Sequence, residues 1–538
     1  MAPVGARTTE RGAARRLDVL LTLLVVAVAA TWALLTPPLR APDEPQHLNS
    51  VLRVAHGGGW PKPGDAVLAP VVQQARLDVA LATDLPGRYV DRAATPQFAD
   101  ADIVPAAERA RTDATTALPH GPAAEPDDVD QMSQHPPLYY ALGAGVLHAT
   151  GLADGRWDLQ LLALRLLDVA LLAPLVPLAA WSARRLTGST AAGALAATFP
   201  LFSPQVGHIL GAVNNDALIT LVGGVVTALV VRVLTGDRRL RTAAAIGVVV
   251  GVGLLTKVMA AFLLPVVALA YLIGPGGALG AGTRGRGRAL GGDVVRVLAS
   301  GGAALAVGGW WWVRNLVIYG TVQPVGIERD LQGMVPEGVV AYTVQAWRRL
   351  SRSFFGDLGW LDLRTPQGFW MTATVVLLAL GVVALTARRT WRPALVLVAL
   401  PTTLTVAILY NGWSYYQQHG LLVGHQGRYL FGGLAALAVI VAVAVRRLVG
   451  GSEARVRAAV PVALAAGLAV TCYGLWFAFR GFYRPDGWPL GAAFDRWELL
   501  SPVGAGWLVA VPALTAAVAL AAVSAAVRLT LPRRRAQL

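Results

Sequence analysis

At 538 residues, 55% of them hydrophobic and only 14% charged, the chain has the composition of an integral membrane protein and not of a soluble globular one. Its net charge of +15 does not indicate a nucleic-acid partner, because most of the arginines stand in short clusters between apolar runs of about 20 residues, as in cytoplasmic loops. The single cysteine, Cys472, lies inside an apolar run, which excludes an intramolecular disulfide and a thiolate metal site.

The N-terminus carries Arg7, Arg11, Arg15 and Arg16 ahead of an apolar run at 17–35. That run is too long for a typical signal peptide and no small-residue cleavage site follows, so it reads as a retained first span. With 1–16 in the cytoplasm, apolar spans fall near 17–36, 159–183, 189–206, 215–234, 242–257 and 259–274, then near 297–313, 367–387, 393–411, 430–445, 458–479 and 503–527. The expected architecture is therefore an all-α integral membrane protein of about 12 transmembrane helices, with both termini cytoplasmic. The inner segments then hold 25 basic residues against four acidic ones, a bias repeated loop by loop. Segment 138–150 is too short to cross, and counting it would invert every later loop, so it reads as an interfacial helix. Segment 275–292 has the composition of a flexible inner linker.

Polar chemistry collects on the outer face. The first outer loop, 37–158, exceeds 100 residues, and a loop of that size beside short ones indicates function. It opens with Ala41-Pro42-Asp43-Glu44-Pro45-Gln46-His47-Leu48-Asn49-Ser50, two adjacent carboxylates held between prolines where the chain leaves the bilayer. Leu48, Val51, Leu52 and Ala55 share one face at helical spacing, which predicts an amphipathic helix on the membrane surface with Asp43 at or before its start. Asp43 is then either a helix N-cap or a general base at the boundary between water and lipid. His135 precedes Pro136-Pro137, which fix the backbone entering the interfacial helix and aim the imidazole at a defined point.

A second outer segment runs over 314–366, and three cations sit near outer span ends: Lys257, Arg314 and Arg428. Lys257 is one of two lysines, and at membrane depth it is either functional or snorkels to the headgroups. Arg314 follows Trp310-Trp311-Trp312, read as an interfacial belt. Arg428 breaks the positive-inside pattern; a lipid phosphate or pyrophosphate gives it a reason to be there. Asp216, after Asn214-Asn215, reads as a cap for the following span, and Arg165 and Asp168 as a pair across one helical turn. Asp100, Asp102, Asp128 and Asp130 read as solvated acidic surface. No phosphate-binding loop, dinucleotide fingerprint or zinc spacing occurs, so no cofactor is assigned and a divalent metal is not indicated.

These motifs, in this order and on this side of the membrane, resemble the GT-C superfamily of membrane glycosyltransferases, above all the protein O-mannosyltransferase and aminoarabinose-transferase clan. The features that carry the likeness are Asp43-Glu44 after the first span, His135-Pro136-Pro137-Leu138-Tyr139-Tyr140 opening an interfacial helix, and Asn215-Asp216 at the fourth span. Ser353-Phe354-Phe355-Gly356-Asp357-Leu358-Gly359-Trp360 and Gly427-Arg428-Tyr429-Leu430 look more like an uncharacterised bacterial branch of that clan.

The resemblance implies transfer of a sugar from a polyprenyl-phosphate donor to a hydroxyl or amine on a glycan, lipid or protein acceptor, outside the plasma membrane of a bacterial cell, with inversion at the anomeric carbon. By resemblance Asp43 matches the residue that takes the acceptor's proton and Glu44 its neighbour in the Asp-Glu motif. His135 stands where a relative has lysine near the donor phosphate. The expected catalytic residues are Asp43 and Glu44. Substrate binding falls to His47, His135, Tyr139, Asn215, Asp216, Lys257, Arg314, Arg428 and Tyr429. The catalytic region is 17–445, followed by C-terminal helices and tail at 446–538. A leaving phosphate needs no general acid but does need positive charge. The rival readings are a lipid-linked glycan flippase, which would hold its ionisable groups near the bilayer midplane, and a noncatalytic assembly protein.

Overall fold

The computed structural model describes residues 4–80, 103–119, 129–280, 285–326, 335–484 and 486–530. Among them, nine helices are long and apolar enough to cross a membrane: Gly12–Leu35, Trp157–Thr187, Asp216–Leu234, Arg286–Tyr319, Gln367–Leu385, Trp391–His419, Gly427–Leu448, Glu453–Tyr483 and Ala505–Arg528. The chain is an all-α, multi-pass membrane protein.

Three of the expected spans are shorter apolar helices. The one near 189–206 is Thr190–Phe202, whose last turn, containing Pro200, tightens to a 3-10 helix before Pro204 starts another short helix. Those expected at 242–257 and 259–274 are Leu240–Leu254 and Val258–Ile273, separated where Lys257 adopts an extended backbone with φ −159°. Conversely, Arg286–Tyr319 is longer than expected. The second half of the supposed flexible linker is helical, and Arg314 lies within a helix instead of opening a loop.

The C-terminal end of the first span positions everything that follows. A helix leaves its last carbonyls without intrahelical partners, and here side chains from distant elements supply them. Arg165 donates to the carbonyls of Ala33 and Thr36 at 2.7 Å each, the Trp497 indole to that of Leu34, and the Tyr483 hydroxyl to that of Leu35, the last two at 2.9 Å. The remaining donors of Arg165 grip Glu44 two-pronged, Nε to Oε1 at 2.8 Å and an Nη to Oε2 at 2.7 Å. Glu44 is fully buried, and its Oε1 also accepts the Val213 backbone N–H. The predicted pairing of Arg165 with Asp168 is therefore incorrect. Asp168 instead accepts from the Tyr139 hydroxyl and the Asn214 N–H.

The helix Glu44–Ala55 forms where predicted, but it does not lie on a membrane surface: every residue from Glu44 to Arg53 is buried. Its polar face is roofed by the rest of the first outer loop. Asn49 and Ser50 donate to Asp130, Arg53 donates to the Val67 carbonyl, and the helix Leu138–Ala149 packs on the apolar side. Asp130 is thus a buried hub and not solvated surface, and burial pushes its carboxyl upward. The second outer segment is tied to the same place, since Arg40 pairs with Asp362 at 2.5 Å.

Breaking a buried ion pair from one side costs about 3–5 kcal/mol, whereas replacing both partners by apolar groups is far milder. Glu44→Leu and Arg165→Met should therefore each lower the thermal unfolding midpoint markedly in detergent, and the double variant should recover part of the loss. Strictly additive losses would show that the two side chains do not act as one unit.

Candidate active site

Asp43 stands between the first span and the buried helix with φ 63° and ψ 14°, a left-handed conformation that non-glycine residues rarely hold. It makes no side-chain capping bond, so the N-cap reading fails. Its carboxylate turns into a cavity of about 900 Å³. There Oδ2 accepts from Arg428 at 2.5 Å, and Oδ1 accepts from the Gln131 amide at 3.1 Å.

Arg428 comes from the 3-10 helix Gly427–Gly433. Gly427 is required because a Cβ there would run into the backbone of Phe354, and its N–H donates to the Ser353 hydroxyl at 2.8 Å. That close approach fixes where the guanidinium begins. Beyond Asp43, Arg428 donates to the Pro42 carbonyl at 3.2 Å, and its Nε lies 3.4 Å from Asp216 Oδ2, a charge contact without hydrogen-bond alignment. Asp216 also holds Lys257 Nζ at 2.7 Å, and Asn215 Oδ1 lies 3.4 Å from the same Nζ. The lysine sits over the Tyr429 ring, 4.4 Å from its centroid. Asp43, Arg428, Asp216 and Lys257 therefore form one continuous row of alternating charge.

Asp216 is the first residue of Asp216–Leu234, and 19 residues span about 28 Å, close to the thickness of a hydrocarbon core. The row thus stands at the end of a membrane-length helix and not at its middle. Asp216 does not cap that helix; the Asn214 side chain accepts the Asp216 N–H instead.

His47 and His135 also line the cavity. His47 Nδ1 lies 3.2 Å from the Tyr140 hydroxyl, while His135 Nδ1 is buried with no hydrogen-bond partner among the described residues. Both imidazoles are held well below the usual histidine range, first by burial, with the Lys257 and Arg428 charges adding to it. They are neutral near pH 7.

Of the residues singled out from sequence, Asp43, His47, His135, Asn215, Lys257, Arg428 and Tyr429 line this cavity, with Asp216 directly behind them. Three are placed elsewhere. Glu44 is locked to Arg165, the Tyr139 hydroxyl is committed to Asp168, and Arg314 stacks over Trp311 and Tyr319 on its own helix. Nor are the three tryptophans a uniform belt: Trp312 is buried and donates to the Leu254 carbonyl at 2.8 Å. Gln131, Arg349, Arg352, Arg364 and His425 line the cavity without having stood out in the sequence. Asp100, Asp102 and Asp128 lie outside the described residues. Among the described residues, no three His, Cys, Asp or Glu side chains are grouped to hold a metal ion.

The fold and site define a multi-pass helical membrane protein with a charged, partly enclosed cavity at the ends of its spans. The chain belongs to the family described as "Predicted membrane protein (DUF2142)", whose model matches residues 26–441. No curated protein sequence matches it. Among solved structures it is similar to ArnT from Cupriavidus metallidurans bound to undecaprenyl phosphate, with 16% identity, 96% of this chain and 77% of that chain covered, and a TM-score of 0.47. It is also similar to the Archaeoglobus fulgidus oligosaccharyltransferase in the apo form, with 12% identity, 90% and 60% of the two chains covered, and a TM-score of 0.45.

Because the two histidines are kept neutral in the folded chain but take up protons near pH 6.5 when unfolded, the unfolded state binds more protons below that pH. Stability should therefore fall as pH drops from about 6.5 toward the lowered folded values. The unfolding midpoint between pH 7 and 5 should decline less steeply in His47→Gln/His135→Gln. An unchanged slope would show that neither imidazole is held neutral.

Proposed function

We propose that this chain is an inverting glycosyltransferase that moves a sugar from a polyprenyl-phosphate donor to an acceptor on the outer face of the membrane. The observation that supports it most directly is the contact between Asp43 and Arg428 inside the cavity, which brings a base and an anion-holding cation into one site.

In this reading the acceptor O–H or N–H approaches Asp43. The acceptor atom bonds to the anomeric carbon as the bond from that carbon to the phosphate oxygen breaks. The electron pair stays with the departing polyprenyl phosphate, and the acceptor's proton passes to the Asp43 carboxylate. Charge gathers on the phosphate as it leaves, and Arg428 and Lys257 face it with fixed positive charge, so no acid is needed to protonate the leaving group. Glu44 acts in this scheme as a positioning residue: through Arg165 it holds the turn that carries Asp43. The outer-face assignment rests on the arginine bias of the inner loops. A transporter is less well supported, because the charged row begins at a helix end and not within a broken midplane segment.

Asp43→Asn keeps the shape of the side chain and removes its basicity. It should leave the protein expressed and folded, with a lowered unfolding midpoint because Arg428 loses its ion partner, while lowering sugar transfer from a panel of polyprenyl-phosphate sugars by about 10²- to 10⁴-fold, far more than the loss of folded protein explains. Arg428→Ala should raise the donor KM. Transfer that persists undiminished in Asp43→Asn removes Asp43 as the base.

A further inference from the structure

We propose that the donor phosphate and Asp43 compete for Arg428, so that donor binding clears the Oδ2 oxygen of Asp43 for the acceptor, and that Gln131 is the positioning residue that keeps the carboxylate aimed once the cation has left it. The coupling rests on the reading of Asp43 as base and Arg428 as phosphate-holding cation; the competition itself follows from the contacts around one guanidinium.

Both oxygens of Asp43 are engaged. Oδ2 accepts from Arg428 at 2.5 Å and Oδ1 from the Gln131 amide at 3.1 Å, and these are its side-chain partners among the described residues. A base has to stand within hydrogen-bond reach of the proton it takes, and the guanidinium occupies the approach to Oδ2. Arg428 is equally committed. One Nη serves Asp43, the other donates to the Pro42 carbonyl at 3.2 Å, and Nε faces Asp216 Oδ2 at 3.4 Å. A two-pronged grip on a phosphate uses two adjacent nitrogens of the guanidinium. Every such grip therefore draws on a nitrogen that the protein already uses, and an incoming phosphate contends with the carboxylate for the same cation.

The neighbours can let Arg428 go. Asp216 keeps Lys257 Nζ at 2.7 Å on its other oxygen, so it is not left without a cation. The Asp43 side chain is 23% exposed, which keeps its charge partly hydrated, and it retains Gln131. Gln131 and Asp43 also belong to one frame. Gln131 follows Asp130, whose carboxylate accepts from Asn49 and Ser50 at 2.7 Å each, and both of those lie on the helix that Asp43 precedes. Arg428 enters from a separate element, Gly427–Gly433. When the guanidinium turns to the phosphate, the neutral amide stays on Oδ1 and leaves Oδ2 to take the acceptor's proton. The donor thus binds before the acceptor.

The test measures binding of polyprenyl monophosphate to the protein in lipid nanodiscs. Asp43→Asn, whose new side chain tolerates the left-handed backbone, should bind it about tenfold tighter than the wild type, because Arg428 has no carboxylate to leave. Asp43→Gly suits the same backbone and should also bind tighter. The gain should vanish when Asp43→Asn is made in an Arg428→Ala background, where a merely repulsive carboxylate would preserve it. Gln131→Leu should weaken binding about threefold where Asp43 is present and leave it unchanged in Asp43→Asn. Equal or weaker binding in both Asp43 variants, or a gain that survives without Arg428, overturns the competition. Unchanged binding in Gln131→Leu removes Gln131 from its role. A wild-type protein that binds no polyprenyl monophosphate overturns both this inference and the transferase reading. Otherwise the two part. Lost transfer in Asp43→Asn with unaltered lipid binding keeps the base and removes the competition, whereas tighter, Arg428-dependent binding with undiminished transfer keeps the competition and removes the base.

Discussion

The buried contact between Arg165 and Glu44 is the constraint on which the site depends. One guanidinium closes the end of the first span by donating to the carbonyls of Ala33, Thr36 and Pro37, and it holds the carboxylate that begins the next helix. The seven residues between Thr36 and Glu44 are thereby pinned at both ends to one side chain of the second span. Asp43 lies at the finish of that turn in a backbone conformation that costs of order 1–3 kcal/mol. Such strain persists only where the surroundings over-determine it, and here a proline on each side of the acidic pair and the clamp itself do so. Two adjacent carboxylates thus have opposite fates. Glu44 is sealed into the protein as structure, and Asp43 is turned into the cavity.

From that turn the charges propagate across three further elements. Arg428 enters from the 3-10 start of Gly427–Leu448, Asp216 from the first residue of its helix, and Lys257 from the break between two short helices. Each would be costly at this depth alone. Together they neutralise one another, so the row can be kept buried without a bound ligand, and two neutral histidines beside it add no further positive charge.

Much of this was legible in the sequence, for a definite reason. Asp43, Asn215, Lys257 and Arg428 are polar residues at the edges of long apolar runs, where a charge has few places to go except a shared polar pocket. What the sequence concealed were partners set by tertiary packing. Arg165 and Asp168 look paired at helical spacing, yet each reaches a different element. Arg314 resembles Arg428 in position, but its helix continues to Tyr319 and carries it onto neighbouring aromatics. The helix Glu44–Ala55 is amphipathic as read, and periodicity cannot tell a polar face turned to water from one covered by Asp130 and Val67. The span expected near 189–206 ends early, at Phe202, because hydropathy averages across Pro200 and Pro204.

The central claim is that the base and the anion-holding cations serve one reaction centre. A structure determined with a bound polyprenyl phosphate tests it most directly. The account predicts a phosphate within hydrogen-bonding distance of Arg428 and Lys257, with Asp43 facing the space where a sugar's anomeric carbon would be attacked. A phosphate seated at the opposite end of the bundle, with the row of Asp43, Arg428, Asp216 and Lys257 intact and untouched, would contradict it.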